Sequence, residues 1–155
     1  MNPDERRVAE FIRSAFHGVT LGNGVGLLQG QGLDDYADEK TLQSLRAQDE
    51  KVDWSRLAVD QLDRCHSSLS FFDAEGMRFH LPAYLVADLE GALKQDVIFH
   101  LTYLVAGALN RFDLLSLSQR EAVRQFLRLR LETGDSFLSS HIQAALDAFW
   151  DTPVP

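Results

Sequence analysis

In three stretches of this chain the apolar residues return every three or four positions, the period of an α-helix rather than of a strand. Val8, Phe11, Ile12, Ala15 and Phe16 lie on one helical face, as do Ala122, Val123, Phe126 and Leu127, and again Leu138, Ile142, Ala145, Leu146 and Phe149. A chain that carries several such stripes must pack helix against helix. At 155 residues it suits one domain over 1–155, able to bury roughly two thirds of the surface its unfolded form exposes. With 45% hydrophobic residues and 4 prolines it stands far from the disordered class.

Punctuation residues bound the predicted helices. Pro3 suits a first turn, and the first helix ends near His17-Gly18. The following GNGVG resembles a phosphate loop only in part: Leu27 occupies the place of the third glycine of a dinucleotide fingerprint, and no Gly-Lys-Ser/Thr follows. A plain loop is expected, then a short helix around Leu27 to Tyr36. Glu39 to about His66 reads as helical and charged, with a break near Lys51 to Trp54. Val97 to Leu109, apolar almost all round and too short for a bilayer, reads as the central helix of the bundle. Ser116 with Gln119 forms a capping-box signal for a helix to about Glu132, and a last helix spans Asp135 to Trp150.

One segment departs from this pattern. Ser68 to Phe72 and Met77 to Leu81 are short and aromatic-rich and flank Asp-Ala-Glu-Gly, which predicts a small antiparallel β-hairpin over about 68–81, with Gly76 at a left-handed turn position. Pro82 would then open a helix from Pro82 to Leu93. The expected fold is therefore a mainly α, single-domain bundle of six or seven helices with one hairpin.

The run DAEGMRFHLPAYL, with Trp54 upstream and LLSLSQREAVRQFL downstream, resembles a family of small bacterial proteins known as a domain of unknown function. That resemblance implies a mainly helical fold. It brings no activity, substrate or catalytic residue.

Function must then be argued from the residues. The net charge of −8 disfavours nucleic acid and anionic membrane, and the charged N-terminal stretch lacks the apolar core of a secretory signal, so a cytoplasmic location is expected. A single cysteine, Cys65, excludes an intrachain disulfide and a multi-cysteine zinc site, and the scattered histidines offer no ligand spacing, so no metal and no cofactor is expected. Nor does the sequence assemble a nucleophile, base and orienting group, so no catalytic residue is assigned. Asp73, Arg78, His80 and Tyr84 are the residues to suspect if a small ligand binds; a hydrolase or metal-dependent enzyme centred on 73–84, drawing on Glu75 and His66, is the alternative reading.

The preferred reading is a small acidic protein-binding module, an immunity or antitoxin-like neutraliser of a specific, basic bacterial partner. Its basis is the acidic segment Asp34 to Asp63, with nine acidic and four basic residues. Asp34, Asp35, Asp38 and Glu39 with the aromatic anchors Tyr36 and Trp54 make the candidate partner-binding face. Arg120, Arg124 and Arg128, one helical turn apart, form a like-charged stripe that needs compensation, either from this acidic segment or from a bound acidic partner or phosphate.

Overall fold

The computed structural model describes residues 1–105 and 109–154, and among the described residues there are eight α-helices, not the six or seven expected, and no strand. They are α1 (Pro3–Ala15), α2 (Leu27–Asp34), α3 (Glu39–Gln48), α4 (Val59–Arg64), α5 (Ala74–Leu89), α6 (Val97–Thr102), α7 (Leu117–Thr133) and α8 (Ser136–Ala145). Short 3₁₀ turns at Trp54–Arg56, Ser68–Ser70 and Leu109–Phe112 join them, and α8 widens into a π-helical turn at Leu146–Trp150.

The expected hairpin over 68–81 is absent. Ser68–Ser70 is a 3₁₀ turn, and Asp73 is the N-cap of α5, its Oδ1 accepting the Gly76 N–H at 2.8 Å. Asp-Ala-Glu-Gly thus forms a capped first helical turn. The alternation of Met77, Phe79 and Leu81 with Arg78 and His80 suggested a half-buried strand, yet twelve of the sixteen residues of α5 are buried. A helix buried on nearly every side has no amphipathic period, and a short apolar run cannot then be told from a strand. Pro82, expected to open a helix, lies inside α5 and has no N–H to give the Arg78 carbonyl. The helix ends instead at a Schellman turn: Gly91, at φ +71°, donates its N–H to the Asp88 carbonyl, and Ala92 donates to Ala87 at 3.0 Å.

α5 also takes the central position expected of residues 97–109. It packs against α1, α4, α6 and the turns at Trp54 and Leu109. α6 closes after Thr102 and leaves Phe99 and Tyr103 exposed; residues 106–108 of the predicted helix lie outside the described residues. Around α5 the core gathers Ile12, Phe16, Leu62, Phe126, Ile142 and Trp150. The other expected elements stand with shifted ends: the charged stretch 39–66 splits into α3 and α4 around the Trp54 turn, and the Ser116–Gln119 capping box closes as expected, at 3.1 and 2.9 Å.

Gly76 is needed for closeness and not for a left-handed backbone, since it lies within the first turn of α5. A Cβ there would stand 2.7 Å from the Val25 carbonyl oxygen and 2.9 Å from Asp73 Oδ1. Gly76→Val is expected to lower unfolding stability by about 1–3 kcal/mol through overpacking, measured by urea denaturation. Loss of less than a few tenths would mean that the Val25 loop does not press on α5.

Candidate functional site

The glycine loop between α1 and α2 folds over the N-terminus of α5, and carboxylates hold it there. Asp73 Oδ1, besides capping Gly76, accepts the Val25 N–H at 3.0 Å, and Glu75 Oε2 accepts the Asn23 N–H at 3.1 Å. Arg46 closes the loop from the other side, donating to the carbonyls of Gly22 at 2.7 Å and Gly24 at 3.2 Å. At the start of α2, where a phosphate loop would present its N–H groups to an anion, the Asp49 carboxylate accepts from Leu28 at 2.7 Å and Gln29 at 3.2 Å. The anion position is filled by the chain's own side chain. Burial pushes the Asp49 carboxyl up, against those two hydrogen bonds and the pull of Lys51 and Arg46.

The four suspected ligand residues lie along α5 and its N-cap without converging on one point. Asp73 is occupied by backbone, and His80 is buried one turn on, its ring 4.2 Å from Phe72 and within 4° of parallel. His80 Nδ1 lies 2.6 Å from the Gly76 carbonyl, which can only accept, so Nδ1 carries the proton and the bare Nε2 has no partner. Tyr84 is buried a further turn along; its hydroxyl also lacks a partner, and burial raises its pKa strongly. Arg78, half-buried, leaves a buried Nε unpartnered. Glu75 and His66, the further groups of the enzyme reading, are likewise engaged: His66 Nδ1 contacts Ser67 Oγ at 3.1 Å, and that hydroxyl donates to Asp34 at 2.8 Å. With its one proton committed to Asp34, Ser67 has none for His66 to remove. Cys65 is buried, and desolvation raises its thiol pKa. Among the described residues no group of three or more His, Cys, Asp and Glu side chains could hold a metal ion.

The acidic face is partly assembled. α2 ends in a Schellman turn in which Tyr36 donates to the Leu33 carbonyl and Ala37 to Gly32 at 3.0 Å. The residue in the left-handed position, usually glycine, is here Tyr36 at φ +57°, and its side chain is 95% exposed. Asp34 and Asp35 stand beside it at the C-terminal end of α2, and Asp38 begins the next helix as its N-cap, accepting from Thr41 at 2.8 Å, with Glu39 following. Trp54 does not join them. It is buried, its indole donating to the Phe16 carbonyl at 2.9 Å.

The arginine stripe pairs with neither of the expected compensators within the chain. Arg120 donates to the Phe149 carbonyl at 3.3 Å, Arg124 to the Trp150 carbonyl at 2.8 Å and to Glu121, and Arg128 to Asp151 at 2.7 Å. The stripe grips the C-terminal π-helical turn, whose free carbonyls carry partial negative charge. Among the described residues no carboxylate from Asp34 to Asp63 joins an ion pair. Sequence reasoning missed this grip because carbonyl acceptors leave no trace in residue identity.

A family of unknown function (DUF6714) matches residues 4–154. The chain belongs to this family. No curated protein and no solved structure matches it. The described residues are helical, as expected, and no helix among them is long and apolar enough to cross a membrane.

His80 makes the fold acid-sensitive. Burial lowers its pKa from 6.5 to about 4, against the pull of the Gly76 hydrogen bond and Asp73. Because the folded value lies below the unfolded one, this contribution is complete above pH 6.5 and is lost as pH falls towards 4, by on the order of 3 kcal/mol. His80→Phe should flatten the stability profile across that window in urea denaturation at stepped pH; an unchanged slope would place the sensitivity elsewhere.

Proposed function

We propose that this protein is a binding module that captures a basic protein partner through the apex between α2 and α3, formed by Asp34, Asp35, Tyr36, Asp38 and Glu39. The observation that carries this reading is Tyr36. A bulky residue in the left-handed region costs roughly 1–2 kcal/mol relative to glycine, and here it holds an almost fully exposed aromatic ring in solvent. Such strain has no return in folding; exposed aromatic anchors ringed by charge have one in association. Asp34 and Asp35, although they accept hydrogen bonds from Ser67 and Gln31, place carboxylates at a helix C-terminus, where they oppose the helix dipole. Asp38 and Glu39 are accounted for by capping α3, and they extend the same negative field.

The acidic apex stays uncompensated, since the arginine stripe is spent on the C-terminal turn. Its field would steer a basic surface into encounter, with an on-rate that falls as salt rises. Neutralisation of a specific bacterial partner in the cytoplasm, in the manner of an immunity or antitoxin protein, is the form of capture that a small acidic module of this kind serves.

Two variants separate recognition from folding. Tyr36→Gly should raise stability by about 1 kcal/mol and abolish capture of the partner that the wild-type chain retains from lysate of its source cells. Asp35→Lys with Glu39→Lys should slow association and reduce its salt dependence while thermal stability stays within about 0.5 kcal/mol. Retention of the same partner at full affinity by both variants would overturn the reading.

A further inference from the structure

Arg120 differs from the other arginines of α7. It is 7% exposed, and its guanidinium carbon lies 4.7 Å from the Phe149 ring centre and 5.2 Å from that of Trp150. Arg124, Arg128 and Arg130 each meet a carboxylate, at 2.6, 2.7 and 3.0 Å. Among the described residues Arg120 meets none within 4 Å, and its one hydrogen bond is the long contact of Nη2 with the Phe149 carbonyl at 3.3 Å. Its Nε is buried without a partner. Buried charges in proteins are normally paired, and a guanidinium offers five donors in a planar fork.

This cation lines a cleft of about 290 Å³ between the loop before α7 and the last turns of the chain. Phe112, Leu115, Ala148, Phe149, Pro153 and Val154 supply apolar walls, and among the described residues no second cation lines it. Desolvation, and after it the neighbouring Arg124, lower the Arg120 pKa, and Asp113, which also stands at the cleft, opposes them. An occupant that pairs with Arg120 brings negative charge to it, and Asp113 repels a dianion more strongly than a monoanion. The volume holds roughly ten non-hydrogen atoms, judged by the space a liquid water occupies.

We propose that this cleft binds a small apolar monocarboxylate, an aryl- or short-alkyl-substituted acid, with its carboxylate on the Arg120 guanidinium and its apolar body against Phe112, Leu115 and Phe149. A planar carboxylate matches the guanidinium fork where a tetrahedral phosphate does not gain from apolar walls. The site shares no residue with the acidic apex, and rests on nothing argued for it.

Proton–nitrogen NMR of the full chain reads the site directly, through the Arg120 Nε–H and Trp150 indole signals. On titration with 3-phenylpropionate and with hexanoate both signals should shift saturably at ligand concentrations of about 1 mM or below. 3-Phenylpropanol, with the same body and no charge, and inorganic phosphate, with charge and no body, should each bind about tenfold more weakly or worse. Arg120→Met, which keeps length and apolar bulk, should lose about tenfold in affinity. Ala148→Leu narrows the cleft without touching Arg120 and should weaken binding about threefold, so the proposal stays testable even if Arg120→Met misfolds. Absence of saturable shifts up to about 20 mM acid, or equal affinity for the alcohol or for phosphate, would overturn it.

Discussion

One carboxylate oxygen, Asp73 Oδ1, accepts two backbone N–H groups from distant segments, Gly76 and Val25, the second 48 residues from Asp73 itself. The first bond sets where the central helix begins; the second pins the glycine loop across that helix. From this junction the rest follows in order. The loop leads into α2, whose N-terminus is held by Asp49 from beyond α3, and α2 in turn carries Tyr36 at its far end. The direction of the acidic apex is thus referred back, through two carboxylate caps, to the most buried helix of the fold. Each cap replaces water on an otherwise orphaned helix donor, which offsets part of the cost of setting a polar network against an apolar core.

The helices with apolar stripes were legible in the sequence because each has one wet face. α1, α7 and α8 announce themselves by period, and Asn2, Ser116 and Asp135 mark their starts as N-caps. α5 was not legible as a helix for the complementary reason. Its burial on all sides erases the period, Pro82 in its middle argues for a boundary, and Asp-Ala-Glu-Gly serves equally well as a hairpin turn or a capped first turn. Which of the two it forms depends on Val25 being nearby, and that proximity is a property of the folded chain.

Candidate sites divided along the same line. Residues whose roles depend on exposure and local backbone, Asp34, Asp35, Tyr36, Asp38 and Glu39, could be gathered from sequence, since they are neighbours in the chain. Trp54 could not be sorted from them, because only the fold gives its indole the Phe16 carbonyl. The significance of Tyr36 itself lies in a dihedral angle that no residue list records. Arg120 escaped attention as one member of a stripe. Its difference from Arg124 and Arg128 comes from partners contributed by the opposite end of a later helix.

α1 packs along α7, with Gln119 donating to the Ala15 carbonyl at 3.1 Å and Arg130 facing Glu5 at 3.5 Å. The first helix of the chain therefore completes its burial only against one of the last. On a ribosome that adds about 5–20 residues per second, α1 must wait several seconds for α7 to emerge. Until then α1 has only α5 and the Trp54 turn to pack against, and the burial of Ile12 and Phe16, complete in the finished fold, stays unfinished. Closing so distant a pair also costs loop entropy before any contact rewards it. A helical protein with this arrangement closes its core late, and the nascent chain carries a partly uncovered apolar stripe on α1 until α7 is made.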